Sequence, residues 1–197
     1  MKKNKVGILD LNAGNIFSVY KVFNQIQNNI EIVDKYDSSK SFSHIVVPGV
    51  ASFGSAMKNI KEKNFDILIN DFVLHKKPIL GLCVGCQILF NSSLEFGIHA
   101  GLDLIKGKVD KIPNEKYKSA KLPNVGWFKI KYNLNNSLFN FINEKDFFYF
   151  THSFRCIPEN SENILATYKY HDEEIVAAVI KENIIGLQFH PEMSSYA

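Results

Sequence analysis

The first half of the sequence alternates short apolar runs with segments of helical periodicity, and this alternation restricts the fold more than any other feature. Apolar residues recur at helical spacing behind Asn15, which predicts a helix capped by that side chain. The predicted strands are Val6–Leu9, Ile30–Val33, His44–Val47 and Ile79–Leu82, and the predicted helices are Ile16–Ile26, Phe53–Ile60, Phe65–Leu74 and one that begins at Cys83. Strands that alternate with helices form a parallel sheet covered on both faces, so we expect an α/β fold.

The second half of the sequence is mostly strand-like. Its predicted strands are Val125–Tyr132, Phe147–Thr151, Ile164–Tyr170, Ile175–Ile180 and Ile184–Phe189. The sequence has no repeat and no low-complexity linker between the halves, so we expect these strands to extend the same sheet with antiparallel additions. A chain of 197 residues with 46% hydrophobic content can bury one core, which predicts a single domain over residues 1–197.

Charge and cysteine content argue against several classes of protein. The formal net charge is +3, and the charged side chains are spread along the chain, which is not typical of a nucleic-acid-binding protein. The apolar run after the basic start is broken at Asp10 and Asn12, so we expect neither a signal peptide nor a membrane span. Three cysteines do not form a disulfide framework in a chain of this length, which predicts a cytoplasmic protein.

The stretch Gly81-Leu-Cys-Val-Gly-Cys-Gln87 joins a predicted strand to a predicted helix. Its C-x-x-C spacing is compatible with a redox pair or half a zinc site, although no second ligand pair is recognisable. The same residues also form Gly-x-Cys-x-Gly, the pattern of a nucleophile elbow with Cys83 as the nucleophile. Small neighbours let the strained turn form, and the following helix places the Val84 N–H where an oxyanion would develop. We favour the elbow, with Cys86 as a buried packing residue.

A cysteine nucleophile needs a base, and the end of the chain offers one. His190 follows an apolar strand, and Glu192 lies two residues further on. In an extended backbone these two side chains point the same way, so Glu192 can hold one imidazole nitrogen while the other meets Cys83. A histidine at a strand end is by itself more often structural, but together with the elbow it predicts a Cys-His-Glu triad.

These motifs resemble those of the class I, or triad, glutamine amidotransferases. The resemblance first rests on Pro48-Gly-Val50, the cysteine elbow and Phe189-His-Pro-Glu192. Five further segments are similar to one branch of that family, the glutaminase subunits of imidazole glycerol phosphate synthase, and they occur in the same order: Ala13–Val19, Pro48–Met57, Gly101–Val109, Asn124–Trp127 and Phe148–Phe154. The resemblance covers nearly the whole chain and implies the class I glutamine amidotransferase fold.

What the resemblance implies is hydrolysis of glutamine to glutamate and ammonia. Cys83 would attack the carboxamide, and His190, oriented by Glu192, would protonate the ammonia and then activate water. The N–H of Val84 and one from the loop of Gly49 and Val50 would meet the oxyanion. The other implied substrate contacts are Gln87, Glu95 and the backbone of Thr151, His152, Ser153 and Phe154. Gln87 could instead cap a helix groove, and Glu95 could be a solvated charge.

The resemblance also implies a partner, because ammonia released into water at neutral pH is protonated and no longer a nucleophile. That partner is a (β/α)8-barrel cyclase, which makes imidazole glycerol phosphate and an aminoimidazole ribotide in histidine biosynthesis. The loops of Asn15 and Trp127 are similar to family surfaces that face the barrel, although Trp127 could equally be a half-buried anchor. No cofactor and no metal are implied. Three alternatives remain: a glutaminase that serves another synthase, a catalytically silent scaffold, and a cysteine peptidase.

Four departures from the family pattern accompany the resemblance. Ala51 replaces a glycine in the presumed oxyanion loop, where a positive φ would cost alanine about 1 kcal/mol. Met193 replaces a lysine near the presumed docking face, and Cys86 replaces a methionine. Relatives in the family continue beyond the equivalent of Ala197 into a closing helix, so we expect either that the sequence is shortened there or that an apolar strip lies uncovered.

Overall fold

The structure, a computed structural model, describes residues 4–12, 16–113, 121–132, 137–143 and 145–194. The strands of this part of the chain, numbered in sequence order, are β1 (Val6–Leu9), β2 (Ile30–Val33), β3 (His44–Val47), β4 (Ile79–Leu82), β5 (Phe90–Ser93), β6 (His99–Ala100), β7 (Ile105–Lys111), β8 (Asn124–Phe128), β9 (Ile130–Tyr132), β10 (Phe148–His152), β11 (Phe154–Pro158), β12 (Ile164–Tyr170), β13 (Glu173–Lys181) and β14 (Ile184–Leu187). Its α-helices are α1 (Ile16–Ile26), α2 (Phe53–Glu62), α3 (Phe65–Leu74) and α4 (Val84–Gln87).

The centre of the fold is an eight-stranded sheet with the order β2-β1-β3-β4-β14-β13-β12-β9. The five strands from β2 to β14 are parallel to one another, and the three strands from β13 to β9 are antiparallel to their neighbours. The prediction of a mostly parallel sheet with added antiparallel strands is therefore confirmed. The four strands of the first half and the three helices predicted with both ends are also confirmed, α2 being two residues longer than expected. The helix predicted from Cys83 is the four-residue α4, which begins one residue later.

Alternation along the strands explains why helices cover both faces. In β3, Ile45 and Val47 point into the core beneath α2 and α3, whereas Val46 points into the smaller core beneath α1. Helix α2 begins at a cap in which the Ser52 hydroxyl accepts a hydrogen bond from the Ser55 N–H at 3.4 Å. Within the described ranges, no helix combines the length and the apolar character needed to cross a membrane. The predicted cap of α1, Asn15, lies outside the described residues.

The prediction that every strand of the second half extends the central sheet is wrong. The predicted run Val125–Tyr132 divides at Lys129, so that β9 joins the central sheet while β8 pairs with β10 in a separate two-stranded sheet. A further four-stranded sheet has the order β11-β7-β5-β6, and none of its strands was predicted. Aromatic packing explains the division, because Phe128 and Phe150 lie against Tyr168 of the central sheet and hold β8 and β10 over it.

Candidate active site

Cys83 lies on a strained turn between β4 and α4, as the elbow interpretation predicts. Its φ of 52° and ψ of −109° are rare for a residue with a side chain. A Cβ at Gly81 would lie 2.4 Å from the Gly85 carbonyl oxygen, and a Cβ at Gly85 would lie 1.6 Å from the Val47 carbonyl oxygen. Because the obstructing atoms are backbone, only glycine fits at these two positions, and the turn brings the Cys83 side chain to the wall of a cavity.

Cys86 is a buried packing residue, as predicted. Its sulfur lies 3.9 Å from that of Cys156, and all three cysteines are free thiols. A Cβ at Gly186 would lie only 2.6 Å from the Cys86 sulfur, so a glycine in β14 makes room for this side chain. In the part of the chain that the structure describes, no group of three or more His, Cys, Asp or Glu side chains could hold a metal ion.

His190 and Glu192 form a buried pair beside Cys83. The Nδ1 of His190 lies 2.8 Å from Oε1 of Glu192, and both side chains are less than a tenth exposed. The backbone N–H of His190 donates to the Tyr149 carbonyl at 2.8 Å, which ties the end of β14 to β10. The pair meets, but the predicted geometry is wrong: Pro191–Met193 is a 3-10 turn and not extended backbone.

Two neighbours keep His190 charged. Burial alone would lower the pKa of His190, but hydrogen bonding and charge from Cys83 and Glu192 outweigh it and raise that pKa to about 10. The imidazole is therefore protonated at neutral pH and lies beside the Cys83 sulfur, where it can act as a proton donor. Apart from this interaction with Cys83, the Nε2 atom of His190 has no hydrogen-bond partner within the described ranges.

The cavity in front of Cys83 has a volume of about 340 Å³, which is enough for a free amino acid. Eight of the nine residues predicted to bind substrate line it, namely Val50, Val84, Gln87, Glu95, Thr151, His152, Ser153 and Phe154. Four further residues line it that were not predicted: Ala51, Ser52, Phe96 and Pro123. The first three adjoin predicted residues in sequence, so extending each motif by a residue or two would have found them. Pro123 carries no such signal.

Gly49 is the predicted residue that does not line the cavity. Its carbonyl oxygen accepts a hydrogen bond from the Val84 N–H at 3.2 Å, so the donor predicted to meet the oxyanion is occupied in this conformation. A rotation of the peptide between Gly49 and Val50 would free the donor. Ala51 does not have a positive φ here, so alanine is unstrained at this position in this conformation.

Glu95 and His152 are held by contacts that the sequence did not indicate. A carboxylate oxygen of Glu95 accepts a hydrogen bond from the Phe53 N–H at 2.5 Å, at the first residue of α2. The Nδ1 of His152 donates to the Phe154 carbonyl at 2.7 Å, and its Nε2 lies 2.9 Å from the Tyr168 hydroxyl. Burial lowers the pKa of His152 to about 4, so this imidazole is neutral and holds the cavity wall without carrying charge.

The model of the family "Glutamine amidotransferase class-I" matches residues 8–197. The chain belongs to the class I glutamine amidotransferases. This confirms the family predicted from the motifs, and the match extends across both the elbow and the histidine that lie together in the fold.

Curated relatives and solved structures agree with this assignment. The amidotransferase is 33% identical over 192 residues to imidazole glycerol phosphate synthase subunit HisH of Chlorobaculum tepidum, covering 98% of this chain and 94% of the relative. It is 40% identical over 194 residues to the HisH subunit of Pelagibacter ubique, covering 96% and 92%. A glutamine amidotransferase structure from Thermotoga maritima matches with a TM-score of 0.69 at 16% identity, covering 98% and 77%, which supports the fold alone.

The amidotransferase presents an apolar surface next to His190. Trp127 lies on β8 and not on a loop as predicted, and it is 56% exposed. It stands on the same side of the strand as the exposed Val125, and its ring lies 4.9 Å from that of Tyr149. The Tyr149 ring is in turn 6.3 Å from that of His190, and Met193 is also exposed. Asn15, the other predicted interface residue, lies outside the described residues.

Proposed function

We propose that this chain is the glutaminase subunit of an imidazole glycerol phosphate synthase and acts in histidine biosynthesis. The observation that carries the proposal is the strained Cys83 at a cavity of about 340 Å³, beside a His190 that is held by Glu192 at 2.8 Å. Relatives that carry this name align over nearly the whole chain. The substrate is L-glutamine, and the products of this subunit are L-glutamate and ammonia.

In the reaction, the Cys83 thiolate attacks the carboxamide carbon of glutamine and forms a C–S bond. His190 gives its Nε2 proton to the nitrogen, the C–N bond breaks, and ammonia leaves a glutamyl thioester. His190, now neutral, takes a proton from water as the oxygen attacks the thioester carbon, and the C–S bond breaks to release glutamate. Glu192 holds the ring and balances its charge in both steps, while the Val84 N–H, once freed from Gly49, meets the oxyanion.

The partner is a (β/α)8-barrel cyclase that forms a heterodimer with this chain and receives the ammonia. An apolar surface beside His190 supports this proposal. We call it the docking face, and it consists of Val125, Trp127, Tyr149 and Met193. It joins the triad through the contact between Tyr149 and His190, so a partner bound there would cover the site. Aromatic residues of this kind are typical of interface hot spots. Trp127→Ala is expected to weaken partner binding at least about tenfold.

Labelling with a diazo-ketone analogue of glutamine tests the nucleophile. We expect Cys83→Ala to abolish both labelling and glutamine hydrolysis, because the sulfur that forms the covalent bond is removed. Cys86→Ala is the matched control, since Cys86 lies three residues away and is buried. It is expected to retain labelling. Labelling that survives in Cys83→Ala and disappears in Cys86→Ala would overturn the assignment, and hydrolysis that survives in Cys83→Ala would refute a cysteine mechanism at this position.

Pairing experiments test the pathway. Glutamine turnover is measured for the chain alone, with a histidine-pathway cyclase, and with a synthase that amidates a sugar. The proposal expects turnover to rise with the cyclase only. A rise with the other synthase alone would transfer the chain to a different pathway. A chain that binds the cyclase but never hydrolyses glutamine would be a silent scaffold, and peptide cleavage without any partner would identify a peptidase.

A further inference from the structure

A buried chain of hydrogen bonds runs from the cavity wall to the sulfur of Cys83. The side-chain amide of Gln87 donates to the Phe154 carbonyl at 3.0 Å and to Oε1 of Gln188 at 3.1 Å. The Nε2 of Gln188 then lies 3.9 Å from the Cys83 sulfur and donates to it. Gln188 is only 1% exposed and does not line the cavity, so it reaches the nucleophile from behind.

The Phe154 carbonyl fixes the donor and acceptor order of this series of hydrogen bonds. A carbonyl oxygen can only accept, so Gln87 must turn its NH₂ group towards Phe154. The second hydrogen of that NH₂ group points to Gln188, which must therefore present its oxygen. The Cys156 thiol, 3.9 Å from the same oxygen, also donates to it. Because burial raises the pKa of Cys156, that thiol stays protonated and remains a donor. The NH₂ group of Gln188 therefore lies on the Cys83 side, and one of its two N–H groups donates to the sulfur.

The sequence places Gln188 and His190 directly after β14. Gln188 and His190 are two residues apart, with Phe189 between them in the opposite core. Both polar side chains are almost fully buried, at 1% and 4% exposure. A buried glutamine is retained only where its polar atoms have partners, and here one of those partners is the nucleophile.

We propose that Gln188 is a positioning residue for the nucleophile, whose amide N–H holds the Cys83 sulfur and stabilises its thiolate. This inference rests on the proposed role of Cys83. His190 supplies positive charge to the sulfur, and Gln188 supplies a neutral donor, so the remaining lone pair of the sulfur is directed into the cavity. Gln188 touches no substrate, and its effect is therefore on the nucleophile and not on the binding of glutamine.

The test is the pH dependence of alkylation of Cys83 by iodoacetamide in the full chain, followed by mass spectrometry of the peptide that contains it. Gln188→Met keeps the length of the side chain and removes the donor, and Gln188→Glu keeps an oxygen towards Gln87 and replaces the donor by a carboxylate. We expect alkylation at pH 7 to fall about tenfold in the first variant and further in the second, with the midpoint of the pH profile moved upward. The kcat for glutamine falls in both variants, and in Gln188→Glu, which keeps an oxygen for Gln87, KM changes less than about twofold.

Cys156→Ala is the matched control, because it removes the other neighbour of the Gln188 oxygen and leaves the donor in place. Its alkylation rate should stay within about twofold of the wild type. An unchanged pH profile in Gln188 variants that fold normally would overturn the inference. If those variants do not fold, the side-chain amide resonance of Gln188 in the wild type decides: it must shift with pH at the midpoint of Cys83 alkylation, and a resonance that does not move refutes the contact.

The two proposals fail in different ways. Glutamine hydrolysis that persists in Cys83→Ala would refute the nucleophile itself. An inactive Cys83→Ala together with normal alkylation in Gln188→Met would refute only the positioning role.

Discussion

The neutral histidine in the cavity wall should make the protein sensitive to acid. His152 is buried, with one ring nitrogen on the Phe154 carbonyl and the other on the Tyr168 hydroxyl. Protonation would place a second donor against that hydroxyl and a charge in an apolar core. For this reason the pKa of His152 falls from 6.5 to about 4 in the folded state.

The sign and size of the effect follow from linkage. A lowered pKa means that the unfolded chain binds the proton more readily, so the stabilising contribution is complete above pH 6.5 and is lost as the pH falls towards 4. A shift of this size corresponds to about 3 kcal/mol, of which about 2 kcal/mol is lost between pH 7 and pH 4.5.

Urea unfolding at pH 7 and pH 4.5 measures this loss. His152→Asn keeps a donor towards the Phe154 carbonyl but has no group that titrates in this range, so its free energy of unfolding should fall by about 2 kcal/mol less than that of the wild type. His75→Gln is the control, because the His75 side chain is 56% exposed, and it should follow the wild type. The reasoning is refuted if His152→Asn loses as much stability in acid as the wild type does.

Three further substitutions test the elbow, the wall and the triad. Gly85→Ala should lower the free energy of unfolding by more than about 3 kcal/mol, because the new Cβ would lie 1.6 Å from a backbone oxygen. The control Gly126→Ala should lower it by less than about 1 kcal/mol, and equal melting temperatures of the two variants would contradict this prediction. Tyr168→Phe leaves two buried polar atoms unpaired and should lower the free energy of unfolding by about 2 to 4 kcal/mol in urea, and a change below about 1 kcal/mol would show that the hydroxyl is dispensable. Glu192→Gln removes the charge that helps to keep His190 protonated, so kcat should fall at least about tenfold. An unchanged kcat in steady-state kinetics would refute this role of Glu192.

The first half of the fold could be predicted because β1, β3 and β4 are largely buried on both faces. Such strands read as continuous apolar runs, as in His44–Val47, and the helices between them have a clear apolar stripe. The boundaries of α3 were predicted to the residue, since Phe65, Leu68, Ile69 and Phe72 recur at helical spacing and all are buried.

The strands of the four-stranded sheet were missed because each signal is weak or hidden. In β7 the buried residues Ile105 and Val109 alternate with lysines, but Gly107 and Asp110 interrupt the apolar pattern. Gly107 has a φ of 136°, and the hydrogen-bonded pairing of β7 bends at this residue. A Cβ there would lie 2.2 Å from the Ile157 carbonyl oxygen. The partner β11 lies over forty residues away in sequence, and periodicity cannot show which strands pair over such a distance.

The proximity of Cys83, His190 and Glu192 could be predicted because each residue lies in a local motif and their meeting point follows from strand order. The ends of β4 and β14 adjoin in the central sheet, which places Cys83 and His190 at the same edge. Gln188 could not be predicted in the same way. Its role depends on Gln87 and Phe154, which come from two other elements, and a buried glutamine in a strand has no local signature.

In the proposed mechanism, the Cys83 sulfur already accepts a hydrogen bond in the free subunit, whereas the oxyanion donor is occupied, so these two parts of the site should respond differently to a partner. Alkylation by iodoacetamide needs only the Cys83 thiolate, whereas hydrolysis of glutamine also needs the Val84 N–H, which donates to the Gly49 carbonyl at 3.2 Å. Removing one oxyanion donor from a site of this kind costs about 10²- to 10³-fold in kcat. Addition of the cyclase should therefore raise glutamine turnover by about that factor. The alkylation rate of Cys83 at low reagent concentration should change less than about threefold, apart from any loss of access to the cavity. Equal acceleration of both reactions would instead mean that ionisation of the thiol limits the activity of the free subunit. The hydrogen bond between Val84 and Gly49 would then not be the cause of its low glutaminase activity.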